Sequence, residues 1–226
     1  MKVCFVVDNF NFFVSHRLDL AKYLLKNYEV LLITDLSNLE EKDMEPVKNL
    51  GISLFNLKGR LGKANLKEYL RYRSDLKSLM LSIEPEYIFF VTLETSFFGT
   101  LVGYGPKIKK VFYIISGLGA FFLRRSIKSM FLRLMYSSAF FFLKVRAAYH
   151  FFIFQNTDDK DLFIKKGYVS IKNARLIEGN GVNLEDFKGT VEHTNTNLVF
   201  LMATKRLVKS KGVEEFLRAS KELFNK

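Results

Sequence analysis

The sequence predicts an α/β fold built on a doubly wound parallel sheet, followed by a truncated fragment of a second α/β domain. Three observations carry this. Apolar runs such as KVCFVVD, EVLLIT, EYIFFVT, VFYIIS and FFIFQ have the length and near-continuous hydrophobicity of strands buried on both faces. Amphipathic helical stretches alternate with them, as in parallel strands joined by helical crossovers. One polar, turn-rich segment, KGTVEHTNTN over 188–197, interrupts the alternation. The chain is therefore divided into a first domain over 1–187, a linker over 188–197, and one strand–helix unit of an incomplete second domain over 198–226.

Each element follows from local signals. Lys2 to Asp8 is the first strand. A loop from Asn9 to Val14 leads to a helix with Ser15 as N-cap, running to about Asn27, with Leu18, Ala21, Leu24 and Leu25 on its buried face. Glu29 to Thr34 is the second strand. A polar helix from Leu39 to Leu50 ends at Gly51, and Ile52 to Leu57 is the third strand. A basic connection leads to a long helix from Leu66 to Ser82, closed by Pro85 ahead of the fourth strand, Glu86 to Thr92. Ser96 to Tyr104 is a short helix, and Val111 to Ser116 the fifth strand, with Gly117-Leu118-Gly119 as a tight turn. A long helical stretch runs from Ser126 to about Tyr149.

The segment from Phe151 to Phe187 then reads as strand, capped helix, strand and hinge. Thr157 is the candidate N-cap. Asp158, Asp159 and Asp161 load the first turn, where the helix dipole favours negative charge, and Gly167 stops the helix. ARLIE is a strand that ends in the flexible Gly179-Asn180-Gly181. Past the linker, LVFLMA from Leu198 is a buried-type strand and Val213 to Phe224 a helix.

Composition narrows the function. At 226 residues, 49% hydrophobic and 15% aromatic, the chain can bury a core. Its net charge of +12 implies anionic partners, which include nucleic acid, acidic lipid and phosphate-bearing substrates. Cys4, the single cysteine, excludes an internal disulfide and reads as a core thiol in a reducing compartment. Lys2 followed by a short apolar run broken at Asp8 is a strand rather than a signal peptide. No window reaches about 18 charge-free apolar residues, so no spanning helix is expected. The expectation is a cytoplasmic protein, or one peripheral on the inner face of the cell membrane.

In an open parallel sheet, ligands bind beyond the carboxyl ends of the strands. The first such loop, NFNFFVSH, has no glycine, which argues against a dinucleotide cofactor. His16, beside Ser15 and Arg17, is either a polar group lining a cleft, with Arg17 facing a phosphate, or a histidine at the edge of a helix start. His150 and His193 lie far from it in sequence, so no zinc site is expected. Asp159-Lys160-Asp161 fits a D-x-D metal pattern, but acids are expected in a first helical turn anyway.

The stretch from Arg124 to Arg146 carries Arg124, Arg125, Lys128, Arg133, Lys144 and Arg146 with no acid, interleaved with Met130, Phe131, Leu134, Met135 and Phe140-Phe141-Phe142-Leu143. It is either a basic amphipathic helix for an anionic membrane surface or a core helix with a solvated basic rim. Nucleic acid is disfavoured, because no binding motif accompanies the charge. In the second domain, Arg206 and Lys211 flank a strand-to-helix loop suited to a nucleotide diphosphate, or form a merely basic surface.

NFFVSHRLDLAKYL, ISGLGAFF, FQNTDDKDLF, EGNGVNLEDF and RLVKSKGVEEFLRA occur in an order and spacing that resemble a family 4 glycosyltransferase of GT-B fold. Bacterial enzymes that extend polyprenyl-diphosphate-linked sugars for capsule, O-antigen or glycan assembly are the most similar. The resemblance spans essentially the whole chain. It implies a Rossmann-like first domain that binds a lipid-linked acceptor through Asn11, Ser15, His16, Arg17, Ser116, Gly117 and Gly119. It implies membrane docking through Arg124, Arg125, Lys128 and Arg133, and donor-diphosphate binding by Arg206 and Lys211. Transfer would retain anomeric configuration, with no metal and no cofactor.

The sequence departs from the pattern at Thr92-Leu93-Glu94-Thr95, where relatives often carry lysine and proline, and it ends at Lys226, before the glutamate pair that grips a donor sugar. The expectation is thus a truncated transferase, weakly active or inactive alone, or completed by a separately encoded second half. Two other classes remain open: a non-catalytic membrane- or partner-binding α/β domain, and a different sugar-nucleotide enzyme such as an epimerase.

Overall fold

A computed structural model describes residues 1–57, 66–102, 104–118, 130, 134–140, 149–187, 199–204 and 207–224. They fall into two compact units, Met1–Asn183 and Leu184–Lys226.

The first unit is organised on a seven-stranded, all-parallel sheet. Its strands are β1 (Lys2–Val7), β2 (Glu29–Thr34), β3 (Ser53–Asn56), β4 (Tyr87–Val91), β5 (Lys110–Ile115), β6 (His150–Phe154) and β7 (Ala174–Leu176). They lie in the order β3-β2-β1-β4-β5-β6-β7. The helices are α1 (Phe10–His16), α2 (Leu18–Leu24), α3 (Glu41–Lys48), α4 (Leu66–Ile83), α5 (Leu93–Leu101) and α6 (Thr157–Lys165), and residues 134–140 are also helical. The α/β, doubly wound parallel architecture predicted from the alternating pattern is present.

Because side chains alternate across a strand, each apolar run feeds two cores. Val3, Phe5 and Val7 join Phe10, Phe13, Ala21 and Val47 on one face. Cys4 and Val6 join Tyr72, Leu76, Phe97, Phe98, Phe140 and Phe163 on the other. Much of the phenylalanine excess is used here. Phe5, Phe89, Phe112 and Phe151 stack in succession across four strands, with centroid separations of 5.0, 4.6 and 5.8 Å. Such offset pairs add about 0.5–1.5 kcal/mol each beyond area burial. Cys4 is fully buried, and burial pushes its thiol pKa up, so it is held as the unreactive thiol.

Three local expectations are corrected. The first helix begins at Phe10, and its N-cap is Asn9, whose Oδ1 accepts from the Phe12 N–H at 2.9 Å. Ser15 lies inside that helix, and the helical path breaks at Arg17 (φ −131°, ψ −10°) before α2 resumes. Asn156 rather than Thr157 caps α6, accepting from the Asp159 N–H at 2.8 Å; a carboxamide one residue earlier reaches the orphan amide. The short helix after β4 starts at Leu93 and not at Ser96, since Thr92 already accepts from the Ser96 amide at 3.1 Å.

In the second unit, residues 199–204 are not a strand, and Val199, Phe200 and Leu201 are exposed. An apolar run becomes a strand only with a neighbour to complete its ladder, and none is present among the described residues. A 3₁₀ turn (Lys209–Lys211) and Gly212 (φ 75°) lead into α7 (Val213–Phe224). The linker 188–197 lies outside the described residues. Among those described, no helix is long and apolar enough to cross a membrane.

Candidate functional site

The first three strands step one way across the sheet, and β4 pairs with the other side of β1. The strand order therefore reverses between β1 and β4. The loops at the carboxyl ends form the rim on which an open α/β sheet binds its ligands.

Arg17 is the anomaly on this rim. Its side chain is only 6% exposed. Nη1 donates to the His16 carbonyl at 3.1 Å and to Asn180 Oδ1 at 2.6 Å. Nε and Nη2 are buried and have no hydrogen-bond partner. Burial lowers the Arg17 pKa, yet a guanidinium stays protonated in any ordinary pH range. The break between α1 and α2 positions it: the Arg17 amide still closes α1 onto Phe13, while its carbonyl opens α2 toward Ala21.

The guanidinium lines a cavity of about 440 Å³, together with Ser15, His16, Gln155, Glu178 and Asn180. Its floor is apolar, formed by Phe89, Ile114 and Ile153 from the sheet. Asn180 is held in place from the far side. Gln155 Nε2 donates to the Gly179 carbonyl at 2.9 Å and also to Asn180 Oδ1. Gly179 and Gly181 adopt φ +69° and +70°, a left-handed conformation that side chains disfavour. A shallow groove of about 490 Å³ also reaches Asn180 and Gly181 and is lined by Lys22 and Lys26.

His16 also lines the cavity. Its ring stacks on Phe12 at 4.2 Å, and its Nδ1 lies 2.5 Å from Ser15 Oγ. The Ser15 hydroxyl proton is committed to the Asn11 carbonyl at 2.7 Å.

The sequence-predicted residues do not all come together. Ser15, His16 and Arg17 come together in the cavity. Asn11 is exposed on α1, and Ser116 and Gly117, half-buried after β5, are not among the lining residues. Lys211, in the second unit, is exposed on the turn before α7. Gly119, Arg124, Arg125, Lys128, Arg133 and Arg206 lie outside the described residues. Gln155 opens a strand-end loop, 155–158, that the sequence marks as a candidate ligand position, and Asn180 sits in the flexible turn after ARLIE; neither is given a binding role from sequence.

A second polar group lies on the rim, and of its members the sequence marks only Glu94, within the candidate loop 93–96. Asp8 follows β1, Glu94 lies in the first turn of α5, and Tyr72 comes from α4. Burial raises the pKa of both carboxyls, and the charge of Asp8 raises Glu94 further. Tyr72 is 2% exposed, its hydroxyl has no partner, and burial together with Asp8 and Glu94 pushes its pKa up. Thr92, the residue preceding α5, is held at φ +92°, rare for a β-branched residue. Asp159 receives the Asn156 side-chain amide at 2.8 Å and serves the α6 cap. Among the described residues, no group of three or more His, Cys, Asp or Glu could hold a metal ion.

A family model described as "Glycosyl transferase 4-like" matches residues 2–146. A solved glycosyltransferase from Rickettsia africae ESF-5 is similar, with a TM-score of 0.51 at 13% identity, over 82% of this chain and 44% of that one. A sucrose-phosphate synthase structure from Thermosynechococcus elongatus is similar at a TM-score of 0.50 and 10% identity, over 83% of this chain and 93% of that one. At these identities the likeness is one of fold. The chain spans less than half the length of the Rickettsia protein. No curated protein matches.

Proposed function

The chain belongs to the glycosyl transferase 4-like family, with a GT-B-type Rossmann-like domain, and from that premise we propose that it takes part in moving a sugar from a nucleotide sugar onto a lipid-linked glycan. The acceptor is a polyprenyl-diphosphate-linked sugar at the inner face of the cell membrane, as in surface polysaccharide synthesis. The single observation that carries this reading is the buried Arg17, which lines the rim cavity and has two guanidinium nitrogens without a hydrogen-bond partner. A desolvated, uncompensated cation costs several kcal/mol, which an anion in the cavity offsets. Nε and Nη2 form a fork that matches two oxygens of one phosphate. Lys22 and Lys26 in the adjoining groove then meet the second phosphate.

The remaining assignments follow the same reading. Residues 1–187 bind the acceptor, with Asn11, Ser116, Gly117 and Gly119 contributing at the cleft. Arg124, Arg125, Lys128 and Arg133 dock the domain on anionic lipid. Beyond the linker at 188–197, Arg206 and Lys211 hold the donor diphosphate and stabilise its departing charge, in a transfer that retains anomeric configuration.

Calorimetric titration of the 226-residue chain with a short-chain prenyl diphosphate tests the reading. Binding is expected, with Arg17→Gln weakening it about 10- to 100-fold, the loss of one or two charge-assisted hydrogen bonds. Equal binding by wild type and Arg17→Gln overturns it.

A further inference from the structure

We propose that Asp8, Glu94 and Tyr72 form a subsite for the hydroxyls of a sugar ring, at the point on the rim where the strand order reverses. The proposal rests on the transferase reading above and adds to it the uncharged part of the substrate.

The backbone brings the three together. Val7 and Val91 are register partners in the parallel β1–β4 pair, so Asp8 and Thr92 leave the sheet side by side. The left-handed conformation of Thr92 opens α5 immediately, which puts Glu94 in its first turn. Strained backbone of this kind is retained where the surrounding structure holds it for a purpose. Asp8 and Glu94 are half-buried, so each keeps an edge open to solvent. Neither has a cation partner among the described residues. Tyr72 supplies the independent observation: a buried hydroxyl that makes no hydrogen bond, its pKa raised by burial and then by the charges of Asp8 and Glu94.

The chemistry selects the ligand. Two carboxyls without a cation repel phosphate, so this is not a second diphosphate site. Three such residues with metal-ligand chemistry are not grouped among those described, which disfavours a divalent ion. Hydroxyls on adjacent carbons of a sugar fit. Each donates to one carboxylate, and the Tyr72 hydroxyl donates back to a ring or hydroxyl oxygen. Phe98, one turn along α5 from Glu94, packs 4.8 Å from the Tyr72 ring and so holds the tyrosine against α5.

Saturation-transfer NMR of the 226-residue chain with a panel of methyl hexopyranosides and methyl N-acetylhexosaminides tests this. At least one glycoside is expected to bind, with affinity falling about tenfold or more in the Asp8→Asn/Glu94→Gln double variant and less in Tyr72→Phe. Both changes remove cost from the folded protein, so loss of binding is not loss of fold; far-ultraviolet circular dichroism checks it. Pyrophosphate binding, measured by calorimetry, is expected to be unchanged in these variants and weakened about 10- to 100-fold in Arg17→Gln. Glycoside binding that survives Asp8→Asn/Glu94→Gln, that requires Mg²⁺, or that is absent from the wild type overturns the proposal. Glycoside binding that meets the expectation while pyrophosphate fails to bind supports this subsite and counts against the Arg17 reading alone.

Discussion

Arg17, Asp8 and Glu94 show how a rim carries charge at a cost to the fold. The two carboxyls have native pKa values raised by burial, so the folded protein keeps protons that the unfolded chain has already released. Stability therefore falls as pH rises from the ordinary carboxylate range, about 4, through the raised native values. Asp8→Asn and Glu94→Gln are each expected to raise Tm at pH 7 and to leave it unchanged at pH 3, as differential scanning calorimetry would read. A stabilising change that also removes sugar binding is the trade expected of a functional residue. At this scale the sequence was partly legible. Ser15, His16 and Arg17 form one run after one strand, so their meeting was readable. Arg17 with Asn180, or Asp8 with Glu94 and Tyr72, is a matter of tertiary contact, and local spacing carries no sign of it.

At the scale of elements, the strands were readable because both faces are buried, and a near-continuous apolar run has few other uses. β2 and α7 have the bounds the sequence predicts. Helix starts were less readable: Asn9 and Asn156 cap one or more residues ahead of the hydroxyl residues that also fit. The run at 199–204 failed as a strand because pairing, not hydrophobicity, defines one. Gly99 in α5 tests how tightly elements are set: a Cβ there would lie 2.6 Å from the Phe90 ring. Gly99→Ala is expected to destabilise the domain by about 1–3 kcal/mol in urea titrations, the usual cost of overpacking. The basic stretch is tested on vesicles containing anionic lipid. Reversing Arg124, Arg125 and Lys128 to glutamate is expected to abolish co-sedimentation, since each cation contributes about 1 kcal/mol near such a surface.

At the scale of the whole molecule, the two units differ in how they are held. The first has two buried cores, and α7 in the second has no buried residue. Limited proteolysis is expected to cut after position 183 first and leave a resistant fragment that ends near Asn183. Early cleavage within the sheet of the first unit would contradict this.

The burial of Cys4 has a practical consequence. It lies in β1, paired on both sides, and its side chain is 0% exposed. As the chain's single sulfhydryl, it is an intrinsic clock for global opening. The rate at which a thiol reagent modifies it reports how often the central sheet comes apart, with no label introduced, and a ligand that tightens the rim will slow that rate in proportion to its affinity.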